Sequence, residues 1–406
     1  MSPAEPLPPP LEGVRVIEVA NYVAAPAVGA LMRDLGADVI KVEPPGGEVM
    51  RGVVAVDVST PYHVNFLFEL ENRGKRSITV DLQSPAGPEV VRRLAATADV
   101  FLTNLLGPRL ERYGLMPARL LEENPRLVYC SVTGYGLSGP EAGRPGFDFA
   151  AFWTRSGIMS VIGHPDSPPV ISRIAQGDHT TAMNALAAVL AALRLRDRTG
   201  RGTFVEVSLQ QTGVYTISTD FARTLMDGKQ PSRMDRTAPP NPLFNTYQCG
   251  DGAWIMLVHM TPDPYWPKLC RALGHPEWAE DERYDSMKKR QERCRELAAM
   301  IQAEFAKHPL SYWREQLDAH GLIWAPMVEL PEVVEDPSLA ALDAFPEVEH
   351  PNGRFRTVGV PFKIHGADSR VRGPSPEAGA HTLDVLREAG LSDDEIAEYA
   401  AQGAFG

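Results

Sequence analysis

An alternation of β-branched runs with helical patterns over the first half of the chain restricts the fold more than any other feature. Residues 14–20 read as a strand, residues 24–36 carry apolar side chains at helical spacing, and residues 38–43 read as a strand again. The order then recurs, with strands over 77–82, 99–104 and 126–132 separated by helices over 88–98 and 117–123. Strands alternating with helices predict an α/β fold with a mostly parallel sheet, covered on both faces, that receives ligands at the carboxyl ends of its strands. Function is therefore sought in the loops that follow those strands. The clearest helix is expected over 180–196, where Met183, Leu186, Leu190 and Leu193 form one stripe; Asp178 precedes it, and a strand over 203–209 follows.

From about Phe221 the chain becomes polar and proline-rich. A hairpin signal stands at Cys249-Gly-Asp-Gly252, and helices are expected over 264–273 and 287–307. Ser392 and Glu395 form a capping box that opens a last helix. The expected partition is a large α/β domain from residues 1–215 and 335–406, with a smaller α+β domain over 221–330 joined by linkers. The opening MSPAEPLPPP has the composition of a disordered tail and lacks the basic and apolar regions of a secretion signal.

Charge and composition narrow the partners. Forty Lys plus Arg against 52 Asp plus Glu give a formal charge of −12 with no basic run, which argues against a nucleic-acid surface. The greasiest stretch, 182–195, is interrupted by Asn184 and Arg194, so no membrane span is expected. Cys130, Cys249, Cys270 and Cys294 form no CxxC pair, which points to reduced thiols in a cytoplasmic protein and to no metal site.

The string Gly134-Tyr-Gly-Leu-Ser-Gly139 satisfies GxGxxG after a strand. A dinucleotide site would need a helix to open at the third glycine, and Pro140, Gly143, Pro145 and Gly146 argue against one. HExxH, P-loop and GxSxG patterns are absent, which leaves carboxylate chemistry. Asp178, in Gln176-Gly-Asp-His-Thr180, stands where a helix N-terminus stabilises negative charge; position alone favours a helix cap. Asp148, in Arg144-Pro-Gly-Phe-Asp148, is a second acidic candidate, with a turn aspartate as the plain alternative. Lys41, Arg51, Lys75, Arg76, Arg109 and Arg112 lie near strand ends and could hold phosphates, although singly each reads as a solvated charge.

Taken together, these segments resemble the class III coenzyme A transferases, which include formyl-CoA, carnitine-CoA and phenyllactate-CoA transferases and the α-methylacyl-CoA racemases. The resemblance spans nearly the whole chain. It rests on Leu11-Glu-Gly-Val-Arg-Val-Ile-Glu18, Leu35-Gly-Ala-Asp-Val-Ile-Lys-Val-Glu43, Asn72-Arg-Gly-Lys-Arg-Ser77, Ala98-Asp-Val-Phe-Leu-Thr-Asn104, Ser131-Val-Thr-Gly-Tyr-Gly-Leu-Ser-Gly-Pro140, and Gly177-Asp178 before a helix ending Thr199-Gly-Arg-Gly202. It implies that Asp178 is the catalytic nucleophile, which attacks an acyl-CoA donor to form a mixed anhydride and then an aspartyl-CoA thioester that an acceptor carboxylic acid resolves. It also implies that Val23, Ala24, Lys75, Asn104 and Arg112 meet coenzyme A, and that the fold is a Rossmann-like domain in an interlocked, ring-shaped homodimer.

Two positions separate transferase from racemase within the resemblance. Racemisation needs an acid and a base on opposite faces of the α-carbon. The racemases look like Gly-His-Asp where this chain has Gly146-Phe147-Asp148, and carry glutamate where it has Gln248. Phenylalanine moves no proton, so a transferase is expected, with a racemase or a non-catalytic acyl-CoA-binding protein as alternatives. Formyl-CoA transferase resembles this chain but has Gln at Val23, Arg at Pro44 and a tetraglycine flap where Thr237 to Pro242 stand, which argues against oxalate or formate. Phe147, Phe149, Phe152 and Trp153 would suit a bulkier acyl group or, equally, a packed core.

Overall fold

The computed structural model describes residues 7–53 and 63–405; the first six residues of the expected tail lie outside them. Six strands form one wholly parallel sheet: β1 (Arg15–Val19), β2 (Asp38–Glu43), β3 (Arg76–Thr79), β4 (Val100–Thr103), β5 (Val128–Thr133) and β6 (Thr203–Ser208), in the order β3-β2-β1-β4-β5-β6. Every residue of β4 and β5 is buried, as a sheet with helices on both faces requires. The order reverses between β1 and β4. The chain therefore leaves those two strands in opposite directions and opens a crevice at their carboxyl ends.

The helices of this half of the chain are α1 (Ala24–Asp34), α2 (Phe66–Asn72), α3 (Gly87–Ala96), α4 (Gly107–Arg112), α5 (Pro117–Glu123), α6 (Ile158–Val161), α7 (Gln176–Thr199), α8 (Leu209–Thr216) and α9 (Ser218–Asp227). One core joins Ile17, Ile40 and Phe101 of the sheet to Leu94 of α3, and to Val385 and Leu386 of a helix over Thr382–Glu388. The capping box at Ser392 and Glu395 is present, with both reciprocal hydrogen bonds.

Contacts divide the chain into two compact units, one of residues 1–158, 171–228 and 337–406, the other of 159–170 and 229–336. Segment 159–170 thus packs with the smaller unit and α9 with the larger, a finer division than the proline-rich break near Phe221 suggests. The smaller unit has an antiparallel sheet of β7 (Phe244–Gln248), β8 (Trp254–Val258) and β9 (Trp324–Pro326), whose Tyr247, Ile255 and Leu257 share a core with Trp266, Phe305 and Trp313. The single helix expected over 287–307 is two, Met287–Glu292 and Cys294–Phe305, separated at Arg293.

Candidate active site

A cavity of about 280 Å³ opens at the strand-order reversal. Its walls are the loop after β1 (Asn21 to Ala24), the loop after β4 (Asn104 to Leu106), the end of β5 (Val132 to Gly134), Phe147 and Asp178. Side chains of β4 and its loop fix the loop after β1. Thr103 Oγ1 donates to the Val19 carbonyl at 2.8 Å, while Asn104 accepts the Asn21 N–H at 3.1 Å and donates to the Asn21 carbonyl at 2.6 Å. That two-sided clamp holds the next residue, Tyr22, at φ 66°, a conformation costly for a side chain of its size. The Tyr22 ring then meets Phe147 edge to face, centroids 5.3 Å apart.

The acidic pair is built by close approach of backbones. A Cβ at Gly134 would lie 2.6 Å from the Gly146 Cα, so glycine at these positions lets the loop after β5 fold back on itself. The returning chain enters a π-helical segment, Asp148–Thr154, where a turn was expected. Asp148 does not bond its own turn: its Oδ1 accepts the Gly177 N–H at 3.1 Å. Helix α7 starts at Gln176, after Ala175 at φ 64°, and its preceding residue supplies no side-chain cap. Asp148 supplies that acceptor from a distant part of the sequence. A Cβ on residue 177 would collide with Asp148 Oδ1 and the Phe152 ring, which explains the glycine. Asp178 consequently lies in the first turn of α7 instead of ahead of the helix, and the helix-cap reading of Asp178 gives way.

The electrostatics follow from that placement. Burial pushes the half-buried Asp178 carboxyl up to about 7, assisted by the like charges of Asp148 and Glu71 and opposed by His179. Burial also raises Asp148, against the backbone N–H groups of Gly177 and Ala175. His179 is held above its ordinary range chiefly by its hydrogen bond to Glu71, 2.8 Å from Nε2 to Oε1. A poorly solvated carboxylate that ionises near neutrality is both available and reactive as a nucleophile.

Val23, Ala24, Asn104 and Asp178 therefore share one cavity. Lys75 and Arg112 do not line it. Lys75 is fully buried, its Nζ 2.7 Å from Glu18 Oε2 and 2.9 Å from the Pro26 carbonyl, and burial lowers it to about 8. It links β1, α1 and the turn before β3, which a lysine near a strand end does not reveal in sequence. Arg112 is exposed at the last turn of α4, whereas Arg109 does line the cavity. Among the aromatic candidates Phe147 faces the cavity, while Phe152 and Trp153 are buried. Tyr22 and Leu209 are lining residues that no motif in the sequence marked. The GxGxxG string leads into turns, with Gly136 at φ 91° and Gly139 at φ 86°, and no helix opens there.

A carboxyl group that ionises near neutrality thus stands at the switch point of a doubly wound sheet. Residues 11–382 match CoA-transferase family III, and the chain belongs to that family. It is 29% identical to (R)-2-hydroxy-4-methylpentanoate CoA-transferase of Clostridioides difficile, covering 96% of this chain and 98% of the relative. It is 33% identical to succinate–glutarate CoA-transferase of Agrobacterium fabrum, over 94% and 96% of the two chains. A solved CAIB/BAIF family protein from Brucella suis superposes with a TM-score of 0.80 at 33% identity, covering 94% of this chain and 99% of its own.

Proposed function

We propose that this chain carries coenzyme A from an acyl-CoA to a carboxylic acid by way of Asp178. The Asp178 carboxylate attacks the thioester carbonyl, the C–S bond breaks, and a mixed anhydride forms as CoA thiolate leaves. The thiolate then attacks the aspartyl carbonyl and releases the donor acid, which leaves an aspartyl-CoA thioester. The acceptor carboxylate attacks that thioester, giving a second anhydride and free thiolate. The thiolate takes the acceptor acyl group, and Asp178 is regenerated as carboxylate. Negative charge that develops on an attacked carbonyl is favoured by the dipole at the N-terminus of α7.

The observation that carries this reading is Asp178 itself, half-buried in the switch-point cavity with its carboxyl held near neutrality. Phe147 favours transfer over racemisation, because the ring facing this cavity has no proton to exchange. Tyr22, Phe147 and Leu209 give the wall an apolar character that suits a branched or aromatic acyl group. Incubation with a panel of such acyl-CoAs and trapping with hydroxylamine should convert Asp178 to a hydroxamate, read by peptide mass spectrometry. Turnover with no hydroxamate at Asp178 would refute the covalent route.

The chain is proposed to act as an interlocked homodimer of ring-shaped protomers, which could not separate without unfolding. Light scattering on serial dilution should show one mass throughout. A folded, active monomer would overturn the interlock.

A further inference from the structure

Resting on the proposed function, we infer that Lys41 and Lys75, both bound to the buried carboxylate of Glu18, are positioning residues that hold the loop after β1 in place beside Asp178 by gripping its two ends. That loop runs from Ala20 into the first turn of α1, and its residues Asn21 to Ala24 form a wall of the Asp178 cavity. Lys41 Nζ donates to the Ala20 carbonyl at 3.1 Å, and Lys75 Nζ donates to the Pro26 carbonyl at 2.9 Å. Both ammonium groups also meet one carboxylate just ahead of the loop. Glu18 Oε1 lies 3.1 Å from Lys41 Nζ, and Oε2 lies 2.7 Å from Lys75 Nζ. Each ammonium has a further oxygen beside it, Glu48 Oε1 at 3.3 Å from Lys41 and Asn72 Oδ1 at 3.0 Å from Lys75. Glu18, Lys41, Glu48 and Lys75 are all buried.

The strain in the loop explains why it needs a grip on both sides. Tyr22, at φ 66°, lies between Ala20 and Pro26, and a large side chain stays in the left-handed region only where its surroundings over-determine it. Asn104 restrains the chain at Asn21, on the near side. On the far side Val23 supplies no side-chain cap and the first turn of α1 holds no acidic residue, so the restraint there comes from Lys75. Stability alone does not account for the cluster. Buried ion pairs exchanged for apolar groups of similar volume often leave a protein as stable, and an ammonium beside the first turn of a helix opposes the helix dipole. Apolar side chains cannot reproduce the direction of two N–H donors aimed at two particular carbonyls. Direction matters here because Val23 and Ala24 share the cavity with Asp178, and a shift of about 1 Å in such a wall can cost about 100-fold in rate.

The test uses two paired exchanges in the full chain, each removing one acid with one base so that no buried charge is left alone. Lys41→Met with Glu48→Gln releases the Ala20 end and keeps the Glu18–Lys75 pair. Lys75→Met with Glu18→Gln releases the Pro26 end and keeps Lys41 with Glu48. Folding is followed by circular dichroism, the affinity and number of CoA sites by calorimetry, and transfer with a donor and acceptor that the unaltered protein accepts. Each exchange should lower kcat by roughly 10- to 100-fold, with KM and the number of CoA sites per chain little changed. A kcat equal to that of the unaltered protein in both folded variants overturns the inference. Failure of either pair to fold, or a fall in kcat matched by an equal fall in the number of CoA sites, also overturns it, because the cluster then acts through stability alone. If the unaltered protein transfers no CoA, the proposed function fails; if it transfers CoA and both exchanges match it, only the assignment of Lys41 and Lys75 fails.

Discussion

Asp178→Ala should lower the rate of CoA transfer at least about a thousandfold, the scale on which removing a covalent nucleophile acts, while CoA still binds. The separation follows from geometry. Asp178 is one wall of the cavity, whereas the loops after β1 and β4 and the side chain of Arg109 lie on other walls and keep their supports when Asp178 is truncated. Truncation also removes a carboxylate whose charge is disfavoured where it stands, so the variant should fold normally. Two assays decide the matter: transfer measured with a donor and acceptor that the unaltered protein accepts, and CoA affinity measured by calorimetry. Loss of both together would indicate a binding defect instead of a chemical one. Full transfer activity in the variant would remove Asp178 from the reaction.

The parallel sheet was legible because each of its central strands is a short β-branched run between helical patterns, and the strands lie close to the ranges that these patterns predict. Buried strands need no alternation to be seen when the intervening helices repeat with this regularity. Asp178 was legible as an acid near the start of the longest helix. Its true position was not, because the acceptor that lets α7 begin at Gln176 comes from Asp148, 29 residues before the Gly177 N–H that it accepts. The π-helical segment at Asp148 was hidden for a related reason: the prolines and glycines before it spell a turn, and only the meeting of Gly134 with Gly146 shows where that turn delivers the chain. The left-handed Tyr22 depends on Asn104, which is remote in sequence. Lys75 and Arg109 show the limit for cations. Both look alike as isolated charges near strand ends, and only packing reveals that one is enclosed with Glu18 while the other faces open space.

Asp148 should prove to be a positioning residue, and its two contributions are separable by substitution. Its Oδ1 holds the Gly177 N–H, and its negative charge raises the Asp178 carboxyl. Asp148→Asn keeps an acceptor oxygen and removes the charge; Asp148→Ala removes both. Attack requires Asp178 as carboxylate, so kcat/KM should rise with pH through an acid limb near the value of about 7 at which the free protein's Asp178 ionises. Without the Asp148 charge the carboxylate becomes easier to form, so in Asp148→Asn that limb should move to lower pH. A carboxylate that forms more easily is a weaker nucleophile, and the plateau rate should fall with it. Asp148→Ala should lose more, because it also leaves the buried Gly177 N–H without an acceptor at a cost of about 1–3 kcal/mol. That variant should show a lower Tm as well as lower activity. A pH–rate profile of Asp148→Asn that superimposes on that of the unaltered protein would reduce Asp148 to a helix cap. A limb displaced downward with Tm held would show that the same carboxylate that starts α7 also sets the reactivity of the nucleophile in its first turn.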